Sequence, residues 1–218
     1  KQVFEKLKAS ENDLWKNQAL SALSPIVHAS DMIACAEDLG VNLEVMPQVL
    51  SELEILSLKV VRWNRLWEEE GQPYYPLEKY PELSVATTSV HDSSTVRQWW
   101  QEEKQSVHAF IKAVSPSEKE DSGEIITENM PFDEKAATFV MENCAKCGSA
   151  LFINPLQDYL YLSNKYFLQD AQSERINVPG SVNEFNWTYR MPVNVETLAS
   201  DKEFIQRVQK VVKIHNTK

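Results

Sequence analysis

The sequence of 218 residues is poor in cysteine and in positive charge, and it lacks long apolar runs. Three cysteines, an odd number, form no disulfide framework and suit a reducing compartment. Lys and Arg total 22 against 32 Asp and Glu, giving a net charge of −10 and a pI of about 5.0. Such a balance offers no clustered basic face for a phosphate backbone, so no nucleic-acid partner is expected. No apolar stretch approaches the ~20 residues of a spanning helix, so no membrane partner is expected either. The first residues lack the basic-then-apolar pattern of a secretory signal. These features together suggest a cytoplasmic protein. Internal repeats are missing as well.

Metal chemistry finds little support. Cys144–Ala145–Lys146–Cys147 is a single CxxC with no second CxxC and no His pair at usable spacing. It also lacks the early strand–helix–strand setting of a thiol redox motif. Two thiols at a helix end are the simpler reading. Cys35 is expected in the core of a strand. His28, His91, His108 and His215 share no ligand spacing. No metal and no cofactor are expected.

What is present is an ordinary globular balance of 43% hydrophobic and 25% charged residues, with six Trp, seven Tyr and eight Phe. Aromatic side chains in such numbers build cores, and their faces can also stack on sugar rings. The spacing of Leu7, Leu14, Leu20, Leu23 and Val27 predicts helix over 3–30, with a break at Ser10–Asp13. Residues 32–36 read as a buried parallel strand. Residues 44–53 read as a helix with Pro47 in its first turn. Strands are predicted at 56–63, 84–92 and 150–153. Helices are predicted at 94–113, 133–144 (capped by Asp133), 158–162 and 195–214, the last broken near Ser200–Asp201. Residues 114–132 read as a mobile acidic connection. Strands alternating with helices imply an α/β fold with a parallel sheet and right-handed crossovers.

Chemistry concentrates where strands end. Ser84–Thr88 is small and β-branched; it leads into Ser89–Val90–His91–Asp92 and then into Ser93, Ser94 and Thr95, which suit a helix start. Glu37–Asp38 likewise follows a strand. In parallel α/β folds this rim carries ligands. The 55 positions from Glu37 to Asp92 match two strand–helix units of a barrel that allots roughly 31 residues to each. Two carboxylates at one rim are the equipment of glycosidic chemistry. Alternatively, both are solvated loop acids, with Asp92 capping the following helix. The late segment Arg175–Gly180 and Asn186–Arg190 carries Arg and Asn donors and Trp187. It reads as a binding segment or as a packed closing segment with Trp187 buried.

Three motifs in register are specific. Ala36–Glu37–Asp38–Leu39–Gly40, Ser89–Val90–His91–Asp92–Ser93–Ser94–Thr95 followed by Arg97–Gln98–Trp99–Trp100, and Arg175–Ile176–Asn177–Val178–Pro179–Gly180 followed by Asn186–Trp187–Thr188–Tyr189–Arg190 occur in that order. Together they resemble the 4-α-glucanotransferases of the amylomaltase, or disproportionating enzyme, family. Gln157–Asp158 also resembles a family position. The resemblance spans about residues 30 to 190. It implies strands five to eight of a (β/α)8 TIM barrel, the C-terminal half of the catalytic domain, with residues 1–218 forming one partial domain. It implies Glu37 as general acid/base and Asp92 as the carboxylate that holds the sugar and supports the transition state. His91, Asp38 and Asn177 are implied as substrate contacts. The implied partners are α-1,4-glucans, malto-oligosaccharides and the N-terminal part of the same enzyme. The family's nucleophilic Asp stands upstream of the Glu motif in an Arg-x-Asp setting. Asp13 and Asp31, the only aspartates before Glu37, lack that setting. The chain is therefore expected to be an incomplete, inactive piece of a longer protein, with residues 1–30 packing on the missing half. An α-glucan hydrolase and a non-catalytic carbohydrate-binding module are the alternatives.

Overall fold

A computed structural model of the chain describes residues 2–37, 43–115 and 126–217, with side chains from Glu5 onward. Asp38, the rest of its motif through Gly40, and residues 116–125 of the expected acidic connection lie outside the described residues. The fold is α/β. Its four short parallel strands, β1 (Cys35–Ala36), β2 (Leu56–Val60), β3 (Ser84–Thr87) and β4 (Leu151–Phe152), lie in one sheet in sequence order. The chain divides into two compact units.

The first unit comprises residues 1–59, 81–85 and 149–151. Helix α1 (Gln2–Val27) runs unbroken through Ser10–Asp13, where Asn12 Nδ2 donates to Glu44 Oε2 at 3.1 Å. Its other side presents Ala19, Leu20, Leu23 and Val27 at helical spacing to Val49, Leu50, Leu53 and Ile55. Three of these come from or flank α2 (Met46–Glu52), which starts with proline in its first turn as expected. β1 pairs in parallel with β2, Cys35 opposite Leu56. This strand is shorter and more open than the sequence suggests. Ala34 and Ala36 turn inward to the α1–α2 core. Strand alternation then turns Ile33 and Cys35 the other way, and Met32 and Ile33 stay exposed at 79% and 75%. Cys35 is exposed rather than in the core.

The second unit comprises residues 60–80, 86–148 and 152–218. Its core is aromatic. Trp99 and Trp100 of α3 (Val96–Glu102) are both almost fully buried, packed with Phe110, Phe132 and Tyr161. Neighbouring residues point about 100° apart on a helix, so α3 is enclosed on more than one side. The single helix expected over 94–113 is in fact α3 and α4 (Lys104–Val114), separated at Glu103, whose ψ of 57° leaves the helical region. The break lets Ser106 Oγ accept from Trp99 Nε1 at 3.0 Å while it contacts Tyr74 Oη at 2.8 Å. Helix α5 (Glu134–Cys144) is capped by Asp133, which accepts from the amides of Lys135 and Ala136. Cys144 and Cys147 are both buried in this core, and burial pushes the Cys144 thiol well up, against the thiolate form that ligation or redox chemistry needs. After β4 come α6 (Leu156–Leu160), α7 (Val195–Ser200) and α8 (Lys202–Asn216). The last two are divided at Asp201, as expected. Phe204 and Val211 of α8 join Met141, Leu160, Leu162 and Tyr166 in a second cluster. Among the described residues no helix is long and apolar enough to cross a membrane.

Two expectations follow. A Cβ on Gly148 would meet the Tyr80 carbonyl oxygen at 2.4 Å, a backbone atom that cannot swing aside. Gly148→Ala should destabilise by roughly 2 kcal/mol or more; a urea midpoint equal to wild type would contradict this. Asp201 accepts from Tyr166 Oη, the Phe204 amide and Lys165 Nζ, which hold its carboxyl down to about 2 from ~3.9 in a free chain. A depressed carboxyl stabilises above its unfolded value and loses that contribution as pH falls through its folded one. Asn keeps the cap, so Asp201→Asn should lower Tm at pH 6 but match wild type near pH 2. A Tm gap independent of pH would exclude the linkage.

Candidate active site

β3 ends because its next residues leave the ladder for side-chain acceptors. The Thr88 amide donates to Asn154 Oδ1 at 2.9 Å. Thr88 Oγ1 and Ser89 Oγ both donate to Asp158 Oδ2, at 2.6 and 2.7 Å. Asp158 Oδ1 accepts the Val96 amide at 3.4 Å, at the start of α3. Its carboxylate is 1% exposed, and burial raises its pKa against the pull of Ser89, Thr88 and Arg62. Buried Arg62 donates from Nη1 and Nη2 to the side chain and carbonyl of Ser94. Between these fixed points the chain turns, with the Ser93 amide donating to Val90 O at 3.0 Å. Thr95, not Asp92, caps α3 by accepting the Gln98 amide. Asp92 is therefore left at the tip of the turn with no structural duty toward the helix.

Residues 175–188 fold onto that tip. The Asn177 amide donates to His91 O at 3.2 Å, and Asn177 Nδ2 donates to Asp92 Oδ1 at 2.7 Å. His91 Nε2 lies 3.4 Å from Asp92 Oδ2, with both side chains about half exposed. Arg175 braces the segment, donating from Nε to Asn177 O at 2.9 Å and from Nη2 to Asp92 O at 3.4 Å. The Trp187 amide donates to Ile176 O at 2.8 Å, and Asn186 Oδ1 accepts the Val178 amide. The Trp187 ring stands 5.3 Å from that of His91 and is exposed rather than buried.

The anchor of this segment is Glu174, 1% exposed. It accepts from Arg97 Nη1 at 2.9 Å, Tyr161 Oη at 2.8 Å and the Leu168 amide at 2.8 Å. Burial raises its pKa, opposed by those donors. A buried carboxylate with three donors is stable only as a complete set, so α3 and the start of the segment are held in one geometry.

The structure thus gathers His91, Asp92 and Asn177. Glu37 stands exposed just past the end of β1, in the first unit. Of the residues that hold the site, Arg175 is expected only as a donor in the late segment and Asp158 only as a family position, and Glu174 has no assigned role. Asp158 had a signal: it is the one charge in the apolar run Leu156–Leu160, and a charge in such a run is buried with partners. Glu174 had none, since Ser173 and Arg175 flank it in a polar stretch. Among the described residues no group of three or more His, Cys, Asp or Glu could hold a metal.

Removing the buried acceptor tests this construction. Asp158→Ala leaves two hydroxyls and an amide without their partner, and should cost roughly 3 kcal/mol by urea denaturation. A loss below about 1 kcal/mol would mean the turn is held by other contacts.

The family described as 4-alpha-glucanotransferase, glycoside hydrolase family 77, matches residues 3–196. The 4-alpha-glucanotransferase of Chlamydia pneumoniae is 32% identical over 89% of this chain, and 4-alpha-glucanotransferase DPE2 of Oryza sativa is 30% identical over 94%. The match covers 35% and 20% of those proteins, so the chain spans about a third or less of their length. An amylomaltase from Streptococcus agalactiae, solved in complex with acarbose, superposes with a TM-score of 0.58 over 84% of this chain and 31% of its own, at 19% identity. That likeness makes the fold a portion of the amylomaltase TIM barrel. On the match over residues 3–196, the chain belongs to the 4-alpha-glucanotransferase family.

Proposed function

We propose that this chain supplies part of the active site of an enzyme that transfers α-1,4-glucan segments between malto-oligosaccharides with retention of configuration. The observation that carries the reading is the Asp92 carboxylate. Asn177 and His91 hold it at a strand-end turn, it has no capping role, and it remains half exposed. A carboxylate so placed has one oxygen fixed by a neutral amide donor and lone pairs left over for sugar hydroxyls. Its charge is also available to an oxocarbenium-like centre.

In this reading Glu37, at the end of β1, is the general acid/base. It protonates the leaving glycosidic oxygen and then deprotonates the acceptor hydroxyl. His91, Asn177 and Asp38 contact the sugar at the bond that breaks. The nucleophile comes from outside these 218 residues. Asp13 lies within α1, and Asp31 stands ahead of β1 rather than past its end. Retaining chemistry needs the two working carboxyls about 5–5.5 Å apart, so the N-terminal part of the same enzyme is this chain's partner. The acarbose complex of the Streptococcus agalactiae relative supports α-glucans as the ligand class.

The test is product analysis on maltotriose. The full-length protein carrying this segment should yield a ladder of longer and shorter glucans, whereas glucose and maltose alone would identify a hydrolase. Residues 1–218 by themselves should give no turnover. Glu37→Gln in the full-length protein should lower kcat by roughly 10³-fold while glucan binding persists. Undiminished transfer by that variant would remove Glu37 from its role.

A further inference from the structure

Trp187 is in an unfavourable conformation for its size. Its φ is +67°, in the left-handed region where the Cβ of a bulky residue crowds its own backbone. Glycine or asparagine meets that geometry at less cost. Burial does not offset the strain, since Trp187 is 65% exposed. Nor is the segment loose. The Trp187 amide is bonded to Ile176 O, Asn186 on one side bonds Val178, and the Thr188 amide and hydroxyl both donate to Phe185 O. The strained backbone therefore fixes the direction of a large flat side chain that the fold itself does not use. The indole lies 5.3 Å from the His91 ring at 38°, beside the Asp92 carboxylate that His91 contacts. Strain held in place next to a candidate site is a recurrent mark of function.

We infer that Trp187 is a stacking platform for the C–H face of a glucose ring, in the sugar position adjoining the one held by Asp92. The choice of an α-glucan rests on the function proposed above. A pyranose offers one apolar face of C–H groups, and the exposed indole offers a flat apolar surface already fixed by the turn. Little freedom is lost when the two meet. His91 backs the indole and sets its tilt, so one aromatic pair serves two neighbouring sugars.

The experiment uses the full-length protein with Trp187→Gly, Trp187→Asn and Trp187→Phe. Maltoheptaose affinity is read by titration calorimetry and stability by Tm. Gly and Asn accept the left-handed backbone, so both variants should keep or raise Tm while affinity falls about tenfold. Trp187→Phe should retain affinity within about threefold of wild type, because a ring remains. Unchanged affinity in the Gly and Asn variants would overturn the platform and leave the Asp92 site standing. A fall of both Tm and affinity in those two variants would make the indole a packing residue and also overturn it. If wild type itself fails to bind maltoheptaose, the glucan reading of the site fails first, and the platform with it.

Discussion

The arrangement of the second unit depends on a carboxylate that never meets solvent. Asp158 collects two hydroxyls and an amide from three points, Thr88, Ser89 and Val96, that bracket the His91–Asp92 turn. Burying a charge is costly unless its hydrogen bonds are complete, so this set forms whole or not at all. The result is a turn whose two ends are fixed while its tip remains open. Glu174 repeats the device for the facing segment, with Arg97 as its cation. Each side of the site is thus backed by a buried carboxylate, and Asn177 and Arg175 join the two sides.

This division separates holding from acting. Asp158 and Glu174 are enclosed, and burial raises both pKa values. Asp92 is half exposed and is contacted by neutral Asn177 and by His91. A carboxylate braced by a neutral amide keeps more of its charge for an incoming ligand than one neutralised by a guanidinium. Arg175 spends its donors on the main-chain oxygens of Asn177 and Asp92.

Much of the local structure was legible in the residues. Small β-branched residues over 84–87, hydroxyls before α3, Asp133 ahead of α5 and the polar step at Ser200–Asp201 all signal what they form. The break at Glu103 was not legible, since neither glycine nor proline marks it. The exposure of Met32 and Ile33 was missed because an apolar run does not say how many faces of a strand are covered. In the site, it was the family resemblance that implied His91, Asp92 and Asn177 as one set. The bonds from Asp158, 70 residues along the chain from Thr88, are tertiary facts that no local pattern encodes.

The segment from Arg175 to Thr188 has one more property. Hydrogen bonds and one buried carboxylate hold it, and neither apolar cluster of the unit draws a residue from it. Hydrogen bonds near water contribute little net free energy each, so such a segment opens at a far lower cost than the core it rests on. Amide exchange across residues 176–188 would then report a separate, cheaper opening than that of α3 or α5. On warming, the cluster of His91, Asp92 and Asn177 would come apart while the helices beneath it were still intact, so its lifetime is set by this strap and not by the melting of the fold.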